Sequence, residues 1–301
     1  MIEGGLVELI SICICTRNRV DDLKSAIHSI YQSTYKNFEI IISDDSTNDE
    51  SEKMVTKEFP KVKYIQGPQK GLCFNRNNAL KLVTGSRVMF MDDDVIMSYD
   101  FLEKIINGLM KIEPAKRNRA IMTGIEINNG SEVYPNKIDF LGFQTKAYKK
   151  KEPLNTIVIN STIFPLQMFK KIQFDQQLVY GYDEVDIAAR ALALNYKIYL
   201  CKDAINNHYP SAINRDYYLP YKEASRIYVT FKKYYKLEQS IAKAFFYLGF
   251  CYVHMLGYQV KKNNIKAFSS TANIMKRAIE YIRNLEGEIS FYKEKEKENE
   301  I

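Results

Sequence analysis

The sequence is poor in the features that mark several protein classes. Its five cysteines, Cys13, Cys15, Cys73, Cys201 and Cys251, form no CxxC pair, which removes a zinc knuckle and gives a disulfide framework no support. That usage fits a reducing, cytoplasmic compartment. The opening MIEGGLVE lacks a basic region followed by an apolar stretch, so no secretory leader is expected. The apolar run AFFYLGFCYVHMLGY, from Ala244 to Tyr258, has 15 residues. As a helix it rises about 22 Å, short of the ~30 Å hydrocarbon layer, which favours a core or interfacial helix over a spanning one. No internal repeat is present. With 46% hydrophobic and 26% charged residues in 301, the chain is neither disordered, collagenous nor a multi-spanning membrane protein, and it is long enough to bury one large core or two small ones.

Charge is unevenly placed. The chain carries +7, while Lys222 to Arg283 holds 12 Lys plus Arg against Glu223, Glu238 and Glu280, a local +9 that leaves about −2 elsewhere. A uniformly basic chain would suggest nucleic acid; a basic segment that also contains the apolar run suggests an anionic membrane surface or a homodimer interface. The tail FYKEKEKENE reads as a solvated charge run.

Hydrophobic periodicity predicts a strand over Leu6–Cys15, then a helix in which Leu23, Ala26, Ile27 and Ile30 share one face. The unit repeats: strand Phe38–Ser43 with a helix from about Glu50 to Phe59, then strand Lys61–Ile65 with helix Leu72–Val83, then strand Arg87–Met91. A helix around Phe101–Leu109, a strand over Ala120–Ile127, a loop from Asn128 to Pro153, a strand-like Leu154–Phe164 and a helix Asp183–Leu194 follow, with long helices from Tyr217 to about Asn284. Alternation of this kind predicts an α/β fold whose mostly parallel sheet is flanked by helices and whose ligands sit beyond the carboxyl ends of the strands. The divisions read as residues 1–216 (halves of about 1–98 and 99–216) and a helical region, 217–301.

The polar clusters fall at those strand ends. Asp92, Asp93 and Asp94 follow an apolar strand directly, and three adjacent carboxylates repel unless a cation or solvent relieves them. Asp92 and Asp94, on one side of an extended chain, suit a hard divalent ion; the alternative is a solvated acidic turn. In GYDEVDIAAR, Asp183, Glu184 and Asp186 begin a helix, where acids serve as caps or as a general base. His208, one of three histidines, is either a metal ligand or structural.

From Leu9 to about Pro210 the chain resembles family 2 of the glycosyltransferases, carried by SICICTRNRVDDLKSAIHSIYQSTYKNFEIIISDDSTND, GLCFNRNNAL, MFMDDDV and GYDEVDIAAR in that order. The resemblance implies a GT-A fold with a C-terminal helical extension. It also implies inverting transfer from a nucleotide sugar, here expected to be a UDP-sugar, to a saccharide or lipid-linked saccharide in cell-surface polysaccharide synthesis, with Mn²⁺ or Mg²⁺ as cofactor. Under it Thr16, Arg17, Arg19, Asp44, Asp45, Gly71, Arg76, Asp92 and Asp93 form the nucleotide-sugar site. Asp92, Asp94 and His208 hold the metal, Asp183 or Glu184 is the base, and Asp186 is structural or meets the acceptor.

One departure stands out: Asp183-Glu184 occupies the place of the family's Glu-Asp. A glutamate at the base position moves the carboxylate by about 1.5 Å, and a displacement of that size can cost ~100-fold in rate. Glu184 is the aligned base and Asp183 the alternative. Two other readings compete, a non-catalytic nucleotide-sugar binder and a sugar-phosphate nucleotidyltransferase; the latter expects a Gly-rich loop where CTRNR stands. The compartment implied is cytoplasmic, at the inner face of the plasma membrane if the basic segment docks there.

Overall fold

A computed structural model describes residues 8–149, 152–210, 215–261 and 266–285. The start of the first expected strand and the charged tail lie outside them.

The first half folds as its periodicity predicts. Strands β1 (Ile10–Thr16), β2 (Phe38–Asp44), β3 (Lys63–Gln66) and β4 (Arg87–Asp92) alternate with helices α1 (Val20–Tyr31), α2 (Glu50–Glu58) and α3 (Leu72–Ala79). The four strands run parallel in the order β3-β2-β1-β4. Their side chains alternate between two cores, as a period of two requires. Ile10, Ile12 and Ile14 of β1 and Met89 and Met91 of β4 meet Leu23 and Ile27 of α1 and Met54 of α2. Cys13, Val88 and Phe90 face the opposite layer, which holds Cys73 of α3.

Beyond β4 the sheet becomes mixed. A three-residue strand β5 (Val95–Met97), helix α4 (Phe101–Met110), a one-turn α5 (Pro114–Arg117) and strand β6 (Ala120–Asn128) lead to small strands β7 (Ser131–Val133), β8 (Asn136–Ile138) and β9 (Gln144–Ala147). The stretch read as loop therefore contains three short strands, too short and too polar to show a period. Leu154–Phe164, read as a strand, is extended only from Thr162, where β10 (Thr162–Pro165) begins after a 3-10 turn. After a one-turn α6 (Leu166–Phe169) come α7 (Asp183–Ala193) and a twelve-residue strand, β11 (Lys197–His208). The large sheet runs β3-β2-β1-β4-β10-β6-β11-β5, with β10 antiparallel to both neighbours and β11 parallel to β6. Reversing at β10 and restoring direction through β6 and β11 carries His208 to the edge where β4 ends.

Helices α8 (Arg215–Lys232), α9 (Ile241–Lys261) and α10 (Lys266–Arg283) pack on the same core as α3 and α7, through Ile227, Tyr228, Tyr247, Cys251 and Ala278. A buried ionic cluster joins them to the sheet domain. Lys232 Nζ lies 2.7 Å from Asp175 Oδ2 and 3.2 Å from Asp186 Oδ1, Arg190 Nε donates to Asp186 Oδ2 at 2.8 Å, and Tyr228 Oη donates to Asp175 Oδ2 at 2.8 Å. Burial pushes the Asp175 carboxyl up, but the Lys232 ammonium more than compensates and holds it below its usual range.

Removing one partner of such a cluster strands an unpaired buried charge. Lys232→Met is expected to lower unfolding free energy by about 3–5 kcal/mol in urea titration, and Lys232→Met with Asp175→Asn to recover most of it. Because the folded carboxyl is depressed, its contribution is present above about pH 4 and lost on acidification through the folded value. The difference between wild type and Lys232→Met should accordingly shrink in acid.

Candidate active site

Parallel register brings the expected residues to one end of the sheet. Thr16 pairs with Asp44 across β1 and β2, and Cys15 with Asp92 across β1 and β4, so the carboxyl ends of three adjacent strands deliver Thr16, Asp44 and Asp92 within one residue of the same level. Thr16 Oγ1 donates to Asp93 Oδ2 at 2.7 Å. Arg19, at the entrance to α1, has Nη1 at 2.9 Å from both Asp93 Oδ1 and Asp94 Oδ2. Burial of Asp93 raises its pKa to about 7 even with Arg19 opposing it. Arg17 is exposed at the same rim.

The Asp44–Asp45 turn is buried and fully engaged. Asp44 accepts from Ser46 N at 2.8 Å and Tyr64 Oη at 2.8 Å, and Asp45 Oδ1 accepts from Gln69 N at 2.8 Å. Two glycines serve this turn for different reasons. Gly71 sits before α3 with φ +110 and ample room, so conformation rather than close approach requires it. The close approach falls on Gly67, which sequence reasoning passed over: a Cβ there would collide with the Asp45 carboxylate and Asn75.

Helix α3 is polar yet buried, because each amide ties down a neighbouring segment. Asn75 Nδ2 donates to Ser43 O at 2.9 Å, Asn77 Nδ2 to Phe174 O at 2.8 Å, and Asn78 Nδ2 to Gln66 O at 3.0 Å. Arg76, 2% exposed, is aimed from this scaffold between Asp183, with which it forms a close ion pair, and Asp92 Oδ1 at 3.1 Å. One guanidinium thus links the two acidic motifs.

The adjacent acids of α7 differ in surroundings. Asp183 is buried against Arg76; burial pushes its carboxyl up and Arg76 resists. Glu184 stays partly exposed, accepts from Gln144 Nε2 at 3.1 Å, and has its pKa raised to about 7 by burial and by Asp183. Gln144 belongs to the stretch read as loop. Gly181 and Tyr182 both have left-handed backbone, φ 73 and 63, turning the chain sharply into α7. Tyr182 Oη holds that turn by donating to Gly142 O at 3.0 Å. Asp186 departs from the acceptor-facing role entertained for it. It is 3% exposed and enclosed by Arg190 and Lys232, so the structural reading is the one its position fits.

One ligand atom each from Asp92, Asp94 and His208 lies within 4.8 Å of the others. Asp94 is reached by the turn after β4 rather than by strand alternation. Its Oδ1 is buried and accepts no well-formed hydrogen bond, although His208 Nε2 is 3.1 Å away. On the other side of the ring, His208 Nδ1 is 2.6 Å from Glu126 Oε1. Burial lowers the imidazole pKa, but the adjacent Asp94 and Glu126 carboxylates outweigh it and raise it to about 10. A ring whose Nδ1 donates to a carboxylate presents Nε2 outward, the usual arrangement behind a metal-bound histidine. Two carboxylates, one of them with a buried oxygen that accepts no well-formed hydrogen bond, and that imidazole fit a hard divalent cation. Glu126 and Asn160 were not foreseen: Asn160 accepts from Asp92 N at 3.0 Å and donates to Glu126 Oε2 at 3.3 Å. A carboxylate ending the apolar strand AIMTGIEIN was the available signal for Glu126.

The family model described as glycosyl transferase family 2 matches residues 11–171, more than half of the chain. A Campylobacter jejuni GalNAc(5)-diNAcBac-PP-undecaprenol beta-1,3-glucosyltransferase is 37% identical over 28% of this chain and 29% of its own length. An Escherichia coli UDP-Glc:alpha-D-GlcNAc-diphosphoundecaprenol beta-1,3-glucosyltransferase is 35% identical over 36% of this chain and 43% of its own. The chain therefore spans less than half the length of either relative. Among solved structures, GalNAc-T7 with UDP, GalNAc and Mn²⁺ superposes with a TM-score of 0.61 at 14% identity, over 77% of this chain and 49% of the other. That likeness shows the GT-A architecture, and the family match removes the nucleotidyltransferase alternative. On these grounds the chain belongs to glycosyl transferase family 2.

Proposed function

We propose that the protein transfers a sugar, with inversion, from a UDP-sugar to a hydroxyl of a lipid-linked saccharide in cell-surface polysaccharide synthesis. The observation that carries the reading is the convergence of Asp92, Asp94 and His208 beside a guanidinium that also holds the start of α7. The names of the relatives support the donor and acceptor classes: both are glucosyltransferases acting on diphosphoundecaprenol-type saccharides, and one uses UDP-Glc. Peripheral residence at the inner membrane face follows from such an acceptor, with no need for a spanning helix.

Asp92, Asp94 and His208 would hold Mn²⁺ or Mg²⁺, which when bound neutralises charge on a diphosphate leaving group. The chain's own groups do the rest. Thr16, Arg17 and Arg19 line the donor groove, the Asp44–Asp45 turn shapes its nucleoside end through the backbone its carboxylates hold, and Gly71 shapes the loop beside it. Asp93 orients Thr16 and Arg19. Arg76 fixes the distance between the acidic clusters. Asp183, committed to Arg76, positions α7, while Glu184, partly exposed and near neutral pKa, removes the acceptor proton as the hydroxyl attacks the anomeric carbon. A single displacement from the opposite face inverts that centre. Gln144 steadies the Glu184 carboxylate, which places the longer side chain without requiring an aspartate. A non-catalytic binder would have no use for a base so poised.

Isothermal titration with UDP and Mn²⁺ should show metal-dependent binding that falls by about 100-fold or more in Asp94→Ala; metal-independent binding, or an unaffected variant, would contradict the site. Glu184→Gln should keep UDP binding and lose about 10²–10⁴ in turnover. Since the base acts deprotonated and burial raises its pKa to about 7, kcat should climb with pH through about 7 and level above it. The residual activity of Glu184→Gln should lack that limb.

A further inference from the structure

Helix α9 buries one stripe and leaves the rest uncovered. Ala244, Tyr247 and Cys251 are buried, with Leu248 and Met255 packed beside them, at the spacing of a core-facing helix. The opposite face of a globular helix is ordinarily polar. Here it carries Ala242, Phe246, Gly249, Val253, Gly257 and Val260, with Phe246 66% and Val253 65% exposed. A Cβ built at Gly249 or Gly257 would meet nothing within 4 Å, so this face is open. Ile241, Phe245, Phe250, Tyr252 and Tyr258 widen the exposed apolar surface. The helix is 21 residues, about 32 Å, yet among the described residues no helix is long and apolar enough to cross a membrane. Charge points to what covers it. Ile241–Lys261 contains no acidic residue, and the segment from Lys222 to Arg283 carries 12 basic residues against 3 acidic; two of the basic ones, Arg226 and Lys232, are spent on buried ion pairs.

We propose that α9 lies in the headgroup boundary of an anionic phospholipid bilayer, its outer face inserted shallowly and its basic surroundings meeting lipid phosphates. An amphipathic element with aromatic and aliphatic insertion and neighbouring lysines binds in this mode, where apolar burial and electrostatic attraction add. The inference rests on the lipid-linked acceptor reading and deepens it: the docked helix holds the transferase at the surface where such an acceptor resides.

The test uses the full chain and vesicles of phosphatidylcholine, with and without phosphatidylglycerol, read by co-sedimentation. Wild type should bind the mixed vesicles, bind the neutral ones far less, and be released by raised salt. Phe246→Ser with Val253→Ser should weaken binding by about tenfold or more with an unchanged thermal midpoint; should that pair unfold, Val253→Glu alone gives the same reading. Absence of vesicle binding by wild type, equal recovery with both vesicle types, or indifference to these substitutions overturns the proposal. So does a concentration-dependent dimer that the substitutions abolish while vesicles fail to bind, which would assign the face to a second copy. UDP–Mn²⁺ titration of the same proteins separates the two readings. Lost vesicle binding with retained nucleotide binding isolates α9, whereas absent nucleotide binding in wild type fails the transfer reading and leaves the vesicle result standing.

Discussion

Arg76 is the constraint on which the rest of the site depends. Its guanidinium is buried and cannot give up its proton in a protein, so it must be matched by carboxylates wherever the chain puts it. The two it finds, Asp92 and Asp183, are separated by 90 residues of sequence. Satisfying that one charge therefore fixes the end of β4 against the start of α7. The amides of α3 perform the complementary task, since Asn75, Asn77 and Asn78 hold the helix to the β2, β3 and Phe174 backbones. Polar residues in the interior here act as fasteners with fully paired groups.

The same logic operates a layer further out. Asp186 lies on α7 with Asp183 and Glu184 but is enclosed by the cluster of Arg190, Lys232 and Asp175. Alternate acids of α7 thus face two masters. Asp183 fastens the helix through Arg76 to the end of β4, Asp186 fastens it to α8, and Glu184 between them stays partly exposed. A helix pinned from both sides presents its remaining carboxylate with little positional slack.

How much of this was legible depended on how local the signal was. Strands β1, β2 and β4 and helices α1 and α4 were legible because their burial is decided by periodicity within a dozen residues. Strand β11 was missed because KIYLCKDAINNH shows no alternation: its register shifts between Leu200 and Ile205, and Lys202 and Asp203 sit at that irregularity. The antiparallel β10 was misjudged in extent because its partners, β4 and β6, are remote in sequence. At the site, residues in clustered acidic motifs could be nominated from the chain alone. Asn160 and Gln144 could not, since each matters only through partners 34 to 68 residues away, and Glu126 offered only its place at the end of an apolar strand. Asp186 shows the converse: adjacency to other acids on a helix says nothing about which way a side chain points, as neighbours two apart diverge by about 200°.

The strand ends that carry Thr16, Asp44 and Asp92, Thr16 level with Asp44 and Asp92 level with Cys15, lie on three hydrogen-bonded strands and act as a ruler. Its divisions are the inter-strand spacing, about 4.8 Å, which is set by backbone hydrogen bonds and is indifferent to side-chain identity. Substitution can change what each mark on that ruler says but not how far apart the marks stand. Selection for a different donor therefore has little purchase on the floor of the groove. It must act on the irregular walls around it, the segments from β7 to β9 and the turn into α7, where backbone geometry is still negotiable.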